Sequence, residues 1–513
     1  MSFLHNRLRA ACSRSQLSSR PVPPASGRVS EPAAEGGPVP RPPGRAHGRQ
    51  IAIGVVRLLA ARGLSISLSL VAWALVARAL GPSPLGMIQF LIAIFAYVAF
   101  IGDPGLTTLG TREYVQAPRP AETVSSVTGT RLLLATLTVL FCLVAAALIP
   151  GTRDQRLAFI VLSVGQIAFA ANFKWVLRSQ QLSSSLAIIE VVQAVAFVVT
   201  AVVLVHGPGD LVPAALVATV GPWTEAVLSF LLTARRPWEM PHIGAETVGL
   251  LRRGLPLGVA TLAIAIYYGV DTVLLGVFRT SNEVGWYTSA YRLVLPWLTL
   301  ASVVGWLAMP KLAELWVKDD GATPVLLRDL SRGMLLIAVP LATGTTVFAP
   351  LLIRTIYGNT FAEAALPLSI LIWSTVTVYA NAPFGFLMLA RRQDRRYMQI
   401  GVAGAIFNIL SNVVFIPTLG ILGASMTTMA TEILVFSTII WVTREQSLAP
   451  LLAALRTAVP VALITGLAAF PLRNLLIGLP VALVVYAASA LLIGGTRGRA
   501  FGSLLREASA TVR

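Results

Sequence analysis

Six ionisable residues interrupt otherwise apolar stretches of this 513-residue sequence, and they are the first candidates for chemistry. A charged group at the centre of a bilayer costs about 2.5 to 3.5 kcal/mol on insertion scales, so it requires a partner, a water-filled cavity or a functional role. The six residues are Arg131, Glu190, Glu225, Asp271, Arg292 and Glu432. Arg62 and Lys174 lie nearer the ends of such stretches, where a long side chain can reach the lipid headgroups.

Asp271 is the most notable acid, because it lies about sixteen residues into its predicted span, where neither headgroup layer is easily reached. It would either hold helices together through a salt bridge or hydrogen bond, or bind a coupling ion. Four carboxylates are therefore predicted to act in ion coupling or gating: Asp271, Glu225, Glu432 and Glu190.

No catalytic or metal-binding pattern accompanies these charges. The four histidines have no H-E-x-x-H spacing, and the sequence contains no Gly-x-x-x-x-Gly-Lys-Ser/Thr phosphate loop. Cys12 lies in a polar tail and Cys142 in an apolar stretch, so both are expected to be free thiols. We expect no enzyme activity, no metal and no cofactor, and movement would depend on an ion gradient, on the substrate or on a partner.

The composition predicts the elements that must position these charges. Only 12% of the residues are charged and 56% are hydrophobic, whereas a soluble domain carries roughly 25% charged residues. Apolar stretches long enough to cross about 30 Å of hydrocarbon recur along the chain. We predict an all-α polytopic membrane protein with about fourteen transmembrane helices, over residues 58–80, 87–108, 130–150, 157–177, 184–206, 211–233, 255–278, 287–309, 333–354, 364–389, 398–417, 421–443, 452–471 and 475–494.

The formal net charge of +18 arises from basic residues that concentrate in alternate loops. One set of loops holds clusters such as residues 252–253 and 391–396, whereas the intervening loops hold isolated arginines such as Arg153. Because short cytoplasmic loops retain Lys and Arg, both termini are predicted to be cytoplasmic. This distribution favours a multi-pass membrane protein over a nucleic-acid binder. A bacterial inner membrane is the predicted location.

A faint internal repeat suggests two related helix bundles. A helix, a short glycine-containing turn and a returning helix recur six spans apart, at residues 78–86 and 275–287. The predicted organisation is a disordered Pro/Arg-rich tail (1–50), an N-terminal lobe of six helices (51–236), a C-terminal lobe of six (250–443), a terminal helix pair (450–495) and a cytoplasmic tail (496–513).

Three segments of the sequence resemble the polysaccharide-export flippases of the multidrug/oligosaccharidyl-lipid/polysaccharide exporter superfamily. The first is Arg78-Ala-Leu-Gly-Pro82 with Gly86. The second is the stretch from Gly254-Leu-Pro256 through Asp271 to the Val-Gly-Trp-Tyr of residues 284–287. The third comprises Asn408, Asn412, Pro417, Gly420 and Gly423. The similarity extends over residues 58–443 and leaves the N-terminal tail without a counterpart.

The resemblance implies alternating-access translocation of a lipid-linked oligosaccharide during polysaccharide assembly. Its substrate would be a polyprenyl diphosphate glycan, and arginines are suited to bind the diphosphate. Membrane lipids, a polysaccharide polymerase and glycosyltransferases are the other expected partners, and nucleic acid is not. The cavity candidates for the substrate are Arg131, Arg292, Lys174 and Arg62.

Alternative functions remain open at the level of sequence. Within the same superfamily, the chain could be a flippase for the peptidoglycan lipid precursor or a cation-coupled multidrug exporter. From other classes, it could be a membrane glycosyltransferase or polymerase, or a membrane scaffold that uses its arginine-rich tail. A polymerase would require a large loop, and every predicted loop is short.

Overall fold

A computed structural model describes residues 45–148, 151–233, 241–244, 246–318 and 321–494. Side chains are described from Arg57 onward, except at residues 59, 306, 307 and 494. The predicted tails therefore lie outside the described residues, except that the first helix begins at Arg45, six residues earlier than the predicted start of the N-terminal lobe.

The described chain consists of α-helices with two short 3-10 turns, at Asn359–Ala364 and Phe470–Leu472. The helices are α1 (Arg45–Leu80), α2 (Pro82–Gly102), α3 (Leu106–Gln116), α4 (Pro120–Leu148), α5 (Arg153–Ala170), α6 (Lys174–Ser179), α7 (Ser183–Leu204), α8 (Leu211–Thr233), α9 (Thr247–Phe278), α10 (Ser281–Lys318), α11 (Ala322–Ile356), α12 (Ala365–Leu371), α13 (Trp373–Ala390), α14 (Asp394–Val442), α15 (Arg444–Ala469) and α16 (Gly478–Gly494).

Twelve helical segments of the described chain are long and apolar enough to cross a bilayer. One of them, α14, has 49 residues and bends at Gly420, whose φ of 59° and ψ of −133° are not helical. A straight helix of that length would measure about 73 Å, so α14 supplies two crossings. The shorter apolar helix α16 adds another, which agrees with the predicted fourteen. The predicted all-α polytopic membrane fold is confirmed.

Local sequence signals explain where several helices begin and bend. Pro82 opens α2 after Gly81, which takes a φ of 77° that favours glycine. At α5, Thr152 and Gln155 form a capping box, in which each side chain accepts a hydrogen bond from the other residue's backbone N–H. Pro417 has no backbone N–H to donate to the helix, and it lies about one turn before the bend at Gly420.

Two short helices, α3 and α6, were not predicted from the sequence. They have 11 and 6 residues, and neither is long enough to cross a bilayer. Both follow a spanning helix at the end of the bundle that the sequence predicts to be cytoplasmic. We call this the inner end, and the opposite end the outer end.

The helices pack around a core that joins α1 and α2 to α10 and α11. Its largest fully buried side chains include Leu80, Ile88, Leu275, Tyr287 and Tyr357. Large apolar side chains on the outward faces are exposed, for example Phe141 at 70% and Trp441 at 70%, as expected for surfaces that contact lipid. All described residues from Gly48 onward form one compact unit, so the division into two lobes and a terminal pair stays a prediction.

Candidate functional site

A cavity of about 480 Å³ near the inner end, called the charged cavity here, collects several of the predicted charges. Helices α2 to α6 and α8 supply most of its wall, and Thr261, Leu262 and Ala265 of α9 close it from the second half of the chain. Its charged lining residues are Asp103, Arg131, Lys174, Arg178 and Glu225. Two of the four predicted substrate residues, Arg131 and Lys174, therefore meet in one place.

The side chain of Arg131 is buried in the wall of the charged cavity and does not extend to the lipid headgroups. Its side chain is only 4% exposed, and its Nε lies 3.2 Å from Oδ2 of Asp103. Its two terminal nitrogens donate hydrogen bonds to the carbonyl oxygens of Phe169 and Asn172, at the end of α5. One ion pair and two hydrogen bonds to carbonyl groups therefore hold the guanidinium of Arg131 inside the protein.

Lys174 forms two ion pairs in the interior. Its Nζ lies 2.9 Å from Oε1 of Glu190 on α7 and 2.6 Å from Oε1 of Glu225 on α8. All three side chains are less than one fifth exposed, and Asn172 donates a hydrogen bond of 2.8 Å to the second oxygen of Glu225. The expectation that Lys174 extends to the headgroups is therefore wrong, because two carboxylates hold its ammonium group inside the bundle.

A second cavity, also of about 480 Å³, adjoins the first and shares Glu225 with it. Gln166, Gln193, Ser69 and the indole of Trp73 line its wall together with apolar side chains. Because Glu225 borders both spaces, the Lys174 cluster lies where the two cavities meet.

Arg292 connects the two halves of the chain. From α10 it stacks its guanidinium 4.1 Å from the ring centroid of Trp73 on α1. It also donates a hydrogen bond of 2.8 Å to the side-chain oxygen of Gln89 on α2. No carboxylate of the described residues forms an ion pair with it, and the amide nitrogen of Gln89 and the hydroxyl of Tyr357 have no partner. Arg292 is thus a partly buried cation without a protein counter-charge in the described chain.

Asp271 is buried among neutral hydrogen-bond donors. Tyr287 donates to Oδ2 at 2.7 Å and Thr428 donates to the same oxygen at 2.9 Å, while the Asn412 amide donates to Oδ1. The carboxylate is 5% exposed, and no basic residue of the described chain pairs with it. It links α9, α10 and both halves of α14 by hydrogen bonds, and an interhelical salt bridge is excluded within the described residues.

Glu432 lies about one turn from Thr428 along the same interface between α9 and α14. Its Oε1 accepts a hydrogen bond of 2.8 Å from the hydroxyl of Tyr267, which itself lies one turn before Asp271. Asp271 and Glu432 therefore lie at neighbouring levels of the interface between α9 and α14. Glu190, by contrast, lies in the first half of the chain with Lys174, so the four predicted coupling acids fall into two separate groups.

Arg62 does not reach the charged cavity. It lines a different cavity of about 610 Å³ between α1, α10 and α11, whose wall is mostly apolar and includes Leu293, Trp297 and Leu341. The four predicted substrate residues thus divide among the charged cavity, the Arg292 contact and this apolar cavity.

Close backbone contacts join the two halves of the chain at the outer end. A Cβ atom on Gly86 would lie 1.7 Å from the carbonyl oxygen of Ser281, and one on Gly285 would lie 2.2 Å from that of Pro82. Arg78 donates hydrogen bonds to the last carbonyl groups of α11, including that of Ile356 at 2.9 Å. The outer ends of α1 and α2 therefore lie directly against α10 and α11.

A second set of contacts joins the halves at the inner end. A Cβ atom on Gly258 would lie 2.4 Å from the carbonyl carbon of Pro104, and one on Gly105 would lie 2.3 Å from the nitrogen of Gly258. Beside them, Glu113 of α3 forms an ion pair with Arg253 of α9. The two halves are therefore in contact at both the outer and the inner end of this interface.

Comparison with known proteins gives the family of this chain. Residues 51–316, just over half of the chain, match the family model described as polysaccharide biosynthesis protein. The chain belongs to the polysaccharide biosynthesis protein family.

Two similar proteins come from Haloferax volcanii. The probable low-salt glycan biosynthesis flippase Agl15 of Haloferax volcanii is 22% identical over 371 residues, which cover 69% of this chain and 75% of the relative. The probable flippase AglR of the same organism is 26% identical over 170 residues, which cover 32% of this chain and 35% of that relative.

Solved transporter structures share the fold of this family member. The lipid II flippase MurJ in an inward closed conformation superposes with a TM-score of 0.67 at 12% identity, over 86% of this chain and 98% of that one. An inward-facing multidrug resistance MATE family transporter of the MOP superfamily gives a TM-score of 0.59 at 14% identity, over 76% and 98%. At these identities the likeness concerns the fold.

Several residues of the site were not singled out as site residues from the sequence. Trp73 and Gln89 have no neighbouring charge that would draw attention to them, and Thr428 and Tyr287 have common types for a membrane helix. Asn412 could have been found from the sequence, because two asparagines four residues apart lie on one helix face. In the structure, the Asn412 amide donates a hydrogen bond of 3.0 Å to the side-chain oxygen of Asn408. Within the described residues, no three His, Cys, Asp or Glu side chains are grouped to hold a metal ion.

Proposed function

We propose that this family member is a flippase that translocates a polyprenyl diphosphate glycan from the inner to the outer leaflet by alternating access. The observation that carries the proposal is the guanidinium of Arg292, which contacts Trp73 and Gln89 across the two halves of the chain but has no carboxylate partner in the described residues. A partly buried cation without a counter-charge is stabilised when an anion binds it. A diphosphate supplies that anion, and Arg binds phosphate oxygens through two parallel hydrogen bonds.

The other parts of the substrate find suitable surroundings nearby. The apolar cavity between α1, α10 and α11 suits a polyprenyl tail, and Arg62 is positioned at its edge. The charged cavity offers hydroxyl groups of Thr107, Thr108 and Thr261 for a glycan. In this arrangement the inner end faces the cytoplasm, as the positive charge of its loops predicts.

Asp271 supplies a site for a coupling cation. Three neutral donors surround its carboxylate, and neither they nor any basic residue of the described chain cancels its charge. A proton or a monovalent cation would do so, and its binding would change the contacts between α9, α10 and α14. We infer that this cluster couples an ion gradient to the movement of the two halves.

The proposal is tested by a translocation assay in proteoliposomes that contain a fluorescent polyprenyl diphosphate disaccharide. Arg292→Gln is expected to slow translocation at least tenfold, since a hydrogen bond to a charged group contributes about 1.5–3 kcal/mol. Arg131→Gln tests the second predicted arginine, and Arg153→Gln, an exposed position at the outer end, is the control.

Full activity of the double variant Arg131→Gln/Arg292→Gln would refute arginine binding of the diphosphate. Faster translocation of a peptidoglycan precursor than of the disaccharide lipid would instead favour a peptidoglycan-precursor flippase.

A further inference from the structure

We propose that Lys174, Glu190 and Glu225 form a charge-exchange site. Its ammonium group binds either the two glutamates or a phosphate group of the ligand. When Lys174 binds the phosphate, the two glutamates together bind one proton. This inference rests on the proposed function, since it assumes an anionic phosphate ligand. It concerns the first half of the chain and is separate from the Asp271 cluster.

The charges of this cluster do not balance. One ammonium group lies within 3 Å of one oxygen from each of two carboxylates, which leaves an excess of one negative charge. The remaining contacts are neutral: the Asn172 amide donates to Glu225 at 2.8 Å, and the Gln193 amide donates to Glu190 at 3.3 Å. A structural ion pair requires only one carboxylate, so the second is unexplained by stability.

The charged groups on neighbouring elements do not supply the missing cation. Arg131 on α4 is bound by Asp103 and by two carbonyl groups, and Arg178 on α6 is exposed at the edge of the charged cavity. On α3, Glu113 pairs with Arg253 of α9. On α1, which packs against this region through Leu58, neither Arg57 nor Arg62 forms an ion pair within the described residues.

The cluster is accessible to a ligand and to water. Lys174 lines the charged cavity, and Glu225 lines both 480 Å³ cavities. A phosphate group that enters here would find the ammonium group of Lys174 and the guanidinium of Arg178 on one short helix.

Phosphate binding and proton binding are linked by this geometry. A doubly charged phosphate competes with the carboxylates for the ammonium group. Once Lys174 turns toward the phosphate, Glu190 and Glu225 are left near each other without a counter-charge, and like charges favour the protonated form of one of them. The proton comes from water in the cavities, and it returns when the phosphate leaves and Lys174 pairs with the glutamates again.

The test is calorimetric titration of the full-length protein in nanodiscs with farnesyl diphosphate, in two buffers that differ in ionisation enthalpy. The wild-type protein is expected to take up about one proton per bound ligand at pH 7, because two interacting carboxylates titrate as a pair. Glu190→Gln and Glu225→Gln are expected to abolish that uptake, whereas Glu363→Gln, at an exposed position, leaves it unchanged. Ionisation of the probe's own phosphate is common to all proteins and cancels in the comparison.

Glu225→Asp keeps the carboxylate and is expected to restore proton uptake, which guards against a variant that only disturbs folding. Lys174→Gln is expected to weaken binding about tenfold and to remove the linkage. Binding of farnesyl diphosphate with equal proton uptake in the wild type and both Gln variants would overturn the charge-exchange site while leaving the flippase intact. Absence of binding to the wild type would overturn the flippase proposal and this site together.

Discussion

The charged side chains inside the helix bundle differ in whether an opposite charge accompanies them. Arg131 has Asp103, and Lys174 has two glutamates, so these cations are held by the protein itself. Arg292, Asp271 and Glu432 have only neutral partners in the described chain. Because an uncompensated charge in a membrane is costly, Arg292 is expected to bind an anionic ligand, and the two carboxylates a proton or another cation.

Replacement of Asp271 by asparagine tests the coupling role. Asparagine has nearly the same shape. Its oxygen can still accept hydrogen bonds from Tyr287 and Thr428, and only the bond from Asn412 is lost, so the helices are expected to stay packed. Translocation driven by an imposed proton or sodium gradient is expected to fall about tenfold, which corresponds to about 1.4 kcal/mol. Asp154→Asn, at an exposed position of α5, serves as the control. An Asp271→Asn variant that still responds fully to both gradients would exclude this carboxylate as the coupling site.

At the scale of helices, hydropathy was sufficient to predict most of the fold. Runs of about twenty apolar residues specify spanning helices because a bilayer offers no partner for unpaired backbone groups. Even the bend in α14 was marked by Pro417 and Gly420, which separated the two predicted spans 398–417 and 421–443. The short helices α3 and α6 were missed because they carry no such run.

The partners of the charged residues could not be predicted in the same way. Lys174 meets Glu190 and Glu225, which are 16 and 51 residues away in sequence, only because α7 and α8 pack beside α6. Arg292 meets Gln89 across 203 residues. Hydropathy fixes the depth of a residue in the bundle but not the direction of its side chain around the helix. The sequence therefore predicted which residues carry charge, but not which of them are neutralised.

The loop before α9 is held to α4 by a carboxylate outside the membrane spans. Glu246 accepts a hydrogen bond of 2.8 Å from the hydroxyl of Ser126, and its Oε1 lies 3.1 Å from Nε2 of His242. Backbone packing adds to this contact, since a Cβ atom on Gly129 would lie 2.2 Å from the carbonyl oxygen of His242. The hydrogen bond from Ser126 is the main reason that the pKa of Glu246 is lowered below its ordinary value of 4.5.

This loop contact is expected to weaken in acid. A lowered pKa in the folded protein means that the ionised Glu246 contributes stability above about pH 4.5, and that this contribution is lost as the pH falls through the lower folded pKa. Thermal unfolding of the wild type and of Glu246→Gln should therefore differ most near pH 7 and converge as the pH falls through the lowered pKa of the folded protein. Glu445→Gln, near the start of α15, is the control. A difference that stays constant over this range would contradict the assignment.

At the scale of the whole molecule, the two halves of the chain contact each other at both the outer and the inner end. The outer contact depends on Gly86 and Gly285, and the inner contact on Gly105 and Gly258, because a side chain at these positions would overlap the opposing backbone. Alternating access requires that one contact opens while the other stays closed. Glycine at each position therefore permits the two halves to close at that end. An alanine at the outer contact is expected to favour the outward-open state, and an alanine at the inner contact the inward-open state.

Two alanine variants test this mechanism in opposite directions. Gly86→Ala would place its Cβ 1.7 Å from the carbonyl oxygen of Ser281 and so prevent outer closure, whereas Gly258→Ala would prevent inner closure. The measurement is labelling of Thr261→Cys, in the wall of the charged cavity, by a membrane-impermeant maleimide, in a protein whose Cys12 and Cys142 are replaced by serine. Gly86→Ala is expected to increase labelling from the outer side several-fold, and Gly258→Ala from the inner side.

The control is Gly401→Ala, at a position with open space around the added methyl group, which should label like the parent protein. Both variants are expected to translocate slowly, since each is held in one state and a complete cycle needs both closures. If the two variants changed labelling on the same side, the glycine contacts would not be the two gates. If labelling shifted as expected while translocation stayed at the wild-type rate, closure at these glycines would not be a required step of the transport cycle.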